Sequence, residues 1–306
     1  MTPRELPDPN DFAAVFFKSD EYEEYMKTKN KKGKLALIIV ATLLAAAVLC
    51  VSVWLISVDC ISKDINLVKV NGLTSPEPLD VEPEEYDVEL EDITMHYAKC
   101  GSGYPLLLIH GNGNSHKDLE DLALRLANDY TVYALDSRSQ GQSTYTDEIS
   151  YQLMAKDVMQ FIKKLGLVKP YVIGHSDGGI VAIQMAIDYP DLLGAFVACG
   201  ANSNPSGLKG YFTIPIRARY AREKKPLDRI MVEEPNFTKE SLSEIKTPAY
   251  VLAGEFDIVK LKDTKFLADN IPGAKVAVLK WQGHSSYIKQ NAQRCYALAK
   301  DFFDSL

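Results

Sequence analysis

The sequence predicts an α/β fold, a mostly parallel eight-stranded sheet flanked by helices over residues 86–306, preceded by a single transmembrane helix. Three observations carry this expectation. After Tyr86, short apolar runs alternate with longer stretches whose apolar residues recur three and four apart, the pattern of repeated strand–helix units. At one such junction a glycine-flanked serine stands between a strand and a helix. Residues 35–58 contain no charged side chain.

The apolar run comes first in the chain. At 1.5 Å per helical residue it crosses a hydrocarbon core of about 30 Å, and it is too long for the apolar region of a cleaved signal peptide. Lys27, Lys29, Lys31, Lys32 and Lys34 crowd its N-terminal flank, whereas the other flank offers Asp59, Lys63 and Asp64. Cationic flanks stay in the cytoplasm. Residues 1–34 are therefore expected as a cytoplasmic tail, with everything beyond residue 59 outside the cytoplasm. Pro76, Pro78 and Pro83, mixed with Glu77, Glu82, Glu84 and Glu85, suit a stalk over residues 59–85.

In the globular part, strands are expected at 106–109, 132–135, 171–173, 194–197, 249–252 and 276–279, with an edge hairpin over 86–98. Helices are expected at 116–128, 151–165, 179–188, 262–270 and 286–303. Between about 202 and 246 the alternation fails, and Pro205, Pro215, Pro226 and Pro235 argue against any long helix. A long irregular insertion in a compact domain suits a lid, with Tyr211, Phe212, Ile214, Arg217 and Tyr220 at a pocket mouth.

Composition excludes several function classes. The 306 residues are 46% hydrophobic and 25% charged, enough for one large core. A net charge of −7, with no basic stripe after residue 60, argues against nucleic acid as partner. The five cysteines (Cys50, Cys60, Cys100, Cys199 and Cys295) are odd in number and scattered, with no metal-ligand spacing. No disulfide framework or zinc site is expected.

The chemistry centres on residues 172–179, Val-Ile-Gly-His-Ser-Asp-Gly-Gly. A serine in a sharp strand-to-helix turn needs Gly174 and Gly178 beside it, so that backbone and helix approach without a Cβ clash. Ser176 is thus the candidate nucleophile. A neutral hydroxyl needs a base to take its proton and an acid to orient that base. Of His96, His110, His116, His175 and His284, only His284 lies far enough past Ser176 for an acid to intervene. Asp257, at the end of a strand-like run, is the favoured acid; Glu255 is the runner-up and Asp263 stands behind it. The backbone N–H groups of Asp177 and Asn112 are expected as oxyanion donors. His110 is expected to brace the loop that carries Asn112. The Asp177 carboxylate is expected to favour the N-terminus of its helix, with contact to a cationic substrate as a lesser reading.

HGNGNS at 110–115, DSRSQGQS at 136–143, GHSDGG at 174–179, GEFDIV at 254–259 and GH at 283–284 resemble the α/β-hydrolase superfamily, most closely small bacterial esterases and carboxylesterase-like members. The resemblance covers residues 86–306. It implies hydrolysis through an acyl-enzyme without metal or cofactor, and a structural role for Asp136, Arg138, Gly141 and Ser143. The expected function is a membrane-anchored serine hydrolase acting on small to medium carboxylic esters, with the bilayer as partner through residues 35–58. Acyl transfer, or thioester or amide hydrolysis on the same triad, is the alternative. A non-catalytic, membrane-tethered binding protein with a hydrolase fold is the alternative of another class.

Overall fold

The computed structural model describes residues 27–29, 31, 39–40, 42–49, 67–68 and 74–306, and the chain divides into two units, residues 1–60 and 61–306. In the first unit residues 39–40 and 42–49 are helical, with exposed side chains. Residues 35–38, 41 and 50–58 of the expected membrane span lie outside the described residues, as does most of the expected tail. Among the described residues no helix is long and apolar enough to cross a membrane.

The second unit is built on one sheet. Its strands are β1 (Leu67–Val68), β2 (Glu84–Glu89), β3 (Thr94–Cys100), β4 (Tyr104–Ile109), β5 (Tyr130–Leu135), β6 (Tyr171–His175), β7 (Ala195–Cys199), β8 (Ala249–Phe256) and β9 (Lys275–Gly283). They lie in the order β1-β9-β8-β7-β6-β4-β5-β3-β2. β2 and β3 pair antiparallel as the expected edge hairpin, and β3 runs antiparallel to β5. From β5 across to β1 every pairing is parallel. The two-residue β1 adds a ninth strand to the eight expected.

Helices cover both faces: α1 (Glu120–Leu126), α2 (Tyr151–Lys164), α3 (Asp177–Asp188), α7 (Leu261–Asn270) and α8 (Ala292–Asp304). Strand residues alternate between the two layers as the period-two rule requires. Leu107, Ile109, Val172 and Phe196 pack toward α2 and α3, whereas Leu106, Leu108, Ile173 and Val197 pack toward α1 and α8. This explains why the central strands read as unbroken apolar runs: both sides are covered. In α2 the spacing of Tyr151, Met154, Ala155, Val158, Phe161 and Ile162 buries one face, and Ser150 caps its start by accepting from the Leu153 N–H at 3.1 Å.

Three segments depart from expectation. The covering segment is not irregular but carries α4 (Gly210–Glu223), α5 (Pro226–Glu233) and α6 (Lys239–Ser243). Pro226 opens α5, where its missing N–H costs nothing, and Pro215 sits inside α4. The carbonyl that Pro215 leaves without a helical donor belongs to Tyr211, an exposed residue. The last helix starts at Ala292 instead of 286, because side-chain bonds within the turn, such as Gly283 N–H to Ser286 Oγ at 2.9 Å, hold residues 283–291 in another shape. The described part of the expected stalk lies on the domain. Arg125 Nη1 donates to the Pro76 carbonyl at 2.8 Å, Leu79 N–H donates to the Leu124 carbonyl at 3.2 Å, and Leu79 packs against the core.

Candidate active site

β6 ends at His175 and α3 begins at Asp177, leaving Ser176 alone in the turn with φ 54° and ψ −115°. A non-glycine residue at such a φ is strained and persists only where its surroundings impose it. Here the Ser176 N–H donates to the Cys199 carbonyl at 2.7 Å, and its own carbonyl accepts from Gly179 at 2.9 Å. The flanking glycines follow from contact. A Cβ on Gly174 would stand 2.1 Å from the Gly178 carbonyl oxygen, and one on Gly178 would stand 2.1 Å from that of Ile109.

Asp257 leaves β8 and His284 leaves β9, the neighbouring strand, so the two meet beyond one edge of the sheet. His284 Nδ1 and Asp257 Oδ1 are 2.6 Å apart. Asp257 is fully buried and also accepts from Val259 N–H at 3.0 Å and Gly254 N–H at 3.2 Å. Burial opposes its ionisation, yet His284 and these two donors outweigh burial and hold the carboxyl below its ordinary range. The rival acids are engaged elsewhere. Glu255 accepts from the Trp281 N–H at 2.9 Å, and Asp263 accepts from the backbone N–H and hydroxyl of Ser203, each at 2.7 Å.

Two neighbours of the histidine were not singled out in the sequence. The buried His175 ring donates from Nε2 to the His284 carbonyl at 3.0 Å, and burial drives its pKa down to about 3, so it is a neutral brace for that loop. Gly200, at φ 62°, lies so close that a Cβ there would be 2.8 Å from His284 Cε1.

The two expected oxyanion donors sit on loops that are tied together. Asp177 is the first residue of α3, where a backbone N–H has no acceptor within the helix. Its carboxylate is buried and accepts from the Tyr151 hydroxyl at 2.9 Å and from Asn112 Nδ2 at 3.0 Å. Burial raises its pKa to about 6 despite these bonds. Its two oxygens are thus engaged by Tyr151 and Asn112. Asn112 Nδ2 also donates to the Leu227 carbonyl of α5 at 3.2 Å, and Gly113 N–H donates to Gln140 at 2.6 Å. His110 braces the same loop: Nδ1 donates to the Gly111 carbonyl at 2.7 Å and Nε2 accepts from Ser137 N–H at 3.0 Å.

Behind the loop, Asp136 accepts from the His116 N–H at 2.6 Å and the Gln142 N–H at 2.7 Å, and its carbonyl accepts from Ser143 Oγ at 2.7 Å. Arg138 and Asp157, both buried, form a bidentate pair with two 2.6 Å bonds. The space above Ser176 is small, about 10 Å³, between Tyr151, Asp177, Asn202 and Glu234 on one hand and Leu208, Phe212, Met231 and Ile258 on the other. Of the aromatic residues expected at a pocket mouth, Phe212 lines this space; Tyr211 is exposed and Tyr220 bonds Glu233 at 3.0 Å.

Residues 104–225 match a family model described as the alpha/beta hydrolase fold. A soluble epoxide hydrolase of Corynebacterium sp. (strain C12) is 36% identical over 116 residues, 38% of this chain and 41% of that protein, so the chain spans less than half the length of this relative. The human serine hydrolase BPHL is 25% identical over 250 residues, 70% of this chain and 84% of that one. Among solved structures, a bacterial membrane phospholipase A aligns with TM-score 0.58 at 18% identity, over 90% of this chain and 98% of that one. At that identity the likeness speaks for the fold. Residues 104–225 thus match the alpha/beta hydrolase fold in sequence, and the solved structures share that fold.

Proposed function

We propose that the protein is a serine hydrolase that cleaves small to medium carboxylic esters through an acyl-enzyme. The observation that carries this reading is the 2.6 Å contact of His284 Nδ1 with a buried, ionised Asp257, on the sheet edge where Ser176 occupies its strained turn. With Nδ1 bonded to Asp257, Nε2 is the nitrogen that takes the Ser176 proton. The serine oxygen then attacks the ester carbonyl, and the backbone N–H groups of Asp177 and Asn112 receive the developing oxyanion. His284 passes its proton to the departing alcohol. Water, activated by the same imidazole, releases the acid and returns the proton to Ser176. The apolar wall of Leu208, Phe212, Met231 and Ile258 suits an uncharged acyl chain.

The test is labelling of the full-length protein with a fluorophosphonate, followed by peptide mapping, beside Ser176→Ala. Label confined to Ser176 and absent from the variant supports the reading. A folded wild type that takes no label overturns it in favour of a binding protein.

The same proposal includes a membrane anchor at residues 35–58, with residues 1–34 cytoplasmic and the hydrolase domain outside. Its support is the charge-free run and the lysine-rich flank. Protease added to intact cells removes the domain if this topology holds, and complete protection of the domain refutes it.

A further inference from the structure

At the β2 edge of the sheet the fold gathers two buried imidazoles and a carboxylate. Glu85 and Asp87 lie on β2, two residues apart and so on one face of the strand. His96 lies opposite Asp87 on β3, and His116 opens the turn that follows β4. One ligand-capable atom from each of Glu85, His96 and His116 lies within 4.8 Å of the others.

The hydrogen bonds fix how the rings present themselves. His96 Nδ1 is 2.8 Å from Asp87 Oδ1, and His116 Nδ1 is 2.9 Å from Asp136 Oδ1. Carboxylates accept, so each Nδ1 donates to its carboxylate and each Nε2 is the ring nitrogen left for another partner. Both Nε2 atoms face one side chain: His116 Nε2 is 3.4 Å from Glu85 Oε1, and His96 Nε2 is 3.5 Å from Glu85 Oε2. His116 Nε2, although buried, has no hydrogen-bond partner. A buried polar atom so placed is the exception that calls for a reason. The spacing supplies one, because ligand atoms about 2.1 Å from a tetrahedral cation stand about 3.4 Å from each other.

We propose that Glu85, His96 and His116 bind a divalent transition-metal ion of the zinc class. Two imidazole nitrogens and one carboxylate oxygen form the borderline donor set that zinc prefers over the all-oxygen shells of calcium and magnesium. Asp87 and Asp136 act as the hydrogen-bond partners that orient metal-binding imidazoles. Water completes the coordination from an adjoining cavity of about 490 Å³, lined by Glu82, Glu85, His116, Lys117 and Glu120, which also provides the entry path. Two flexible side chains give way on binding: Gln142 Nε2, now 3.0 Å from His96 Nε2, and Lys117 Nζ, now 3.3 Å from Glu85 Oε1. Both residues are exposed. The ion joins β2, β3 and the segment after β4, so it acts as a staple on the sheet edge, independent of the hydrolase reading.

The experiment uses the full-length protein in detergent, stripped by a chelator and titrated with Zn²⁺. One equivalent binds per chain, and thermal unfolding moves to higher temperature, while excess Mg²⁺ does neither. Glu85→Gln lowers Zn²⁺ binding to background. Asp87→Asn weakens it about 10- to 100-fold. Lys117→Ala tightens it. Glu85, Asp87 and Lys117 are exposed or half-exposed, so their variants keep the fold, which circular dichroism verifies. A wild type that binds no stoichiometric Zn²⁺, or a Glu85→Gln protein that binds it as tightly as wild type, overturns the proposal and leaves a cluster held by protons alone.

Discussion

Asn112 Nδ2 donates to Asp177 Oδ2 at 3.0 Å, so the two loops assigned to the oxyanion hold each other in register. The same amide reaches the Leu227 carbonyl of the covering segment. Asn112→Ala keeps the backbone N–H but removes both ties. A displaced donor costs transition-state stabilisation more than substrate binding. The expected result is a fall in kcat of about 10- to 100-fold with KM little changed, read from steady-state kinetics on an activated ester. An unaltered kcat would sink the coupling between the loops.

Asp177 gives the stability a pH dependence of defined sign. Burial lifts its folded pKa from 3.8 to about 6, so the folded state holds its proton more tightly than the unfolded chain does. The resulting stability is complete below about pH 4 and is lost as pH rises through about 6, with roughly 3 kcal/mol as a ceiling. Asp177→Asn does not titrate. Relative to wild type, its unfolding free energy therefore improves between pH 4 and pH 7, as denaturant titrations at the two ends of that window measure. A difference that stays constant with pH would place the titration elsewhere.

The Arg138–Asp157 pair is buried on both sides, and Arg138 Nη1 also donates to the Glu148 carbonyl at 2.8 Å. Asp157→Ala leaves the guanidinium without a counter-charge in the interior and is expected to cost about 3–5 kcal/mol. Replacing both residues by apolar ones of similar size costs less than the single change. Equilibrium unfolding of the single and double variants checks the order.

Gly200→Ala separates geometry at the histidine from stability. Its Cβ would arrive 2.8 Å from His284 Cε1 at a backbone φ of 62°. The ring must move, and with it the 2.6 Å contact to Asp257. The expected outcome is a fall in kcat of about 100-fold while the protein still folds and still binds substrate. Retained kcat would show that the loop absorbs the methyl group.

What was legible in the sequence was local or ordered along the chain. Gly174, Ser176 and Gly178 announce a turn because strand, glycines and helix are contiguous. Asp257 and His284 follow successive strands, and those strands pair as neighbours, so their meeting follows from chain order. Tyr151, His175 and Gly200 were not legible as parts of the site, because each acts through a contact between distant elements: a hydroxyl from α2 to the start of α3, a ring to the 284 carbonyl, a bare Cα beneath an imidazole. The covering segment was misread for a different reason. Proline breaks a helix by position, and here Pro226 sits where a helix begins while the i−4 carbonyl facing Pro215 belongs to an exposed residue. Glu85, His96 and His116 escaped notice because their spacing carries no metal signature until the hairpin folds.

The space above Ser176, about 10 Å³, is room for a single water molecule. On the proposed esterase reading, an ester would reach the hydroxyl only after Leu208, Phe212 and Met231 withdraw, and Met231 shares α5 with the carbonyl that Asn112 grips. Turnover is then gated. The opening rate of this short helical cover sets a ceiling on substrate capture, and the molecule that unlatches the cover also loosens one hold on the loop that receives the oxyanion.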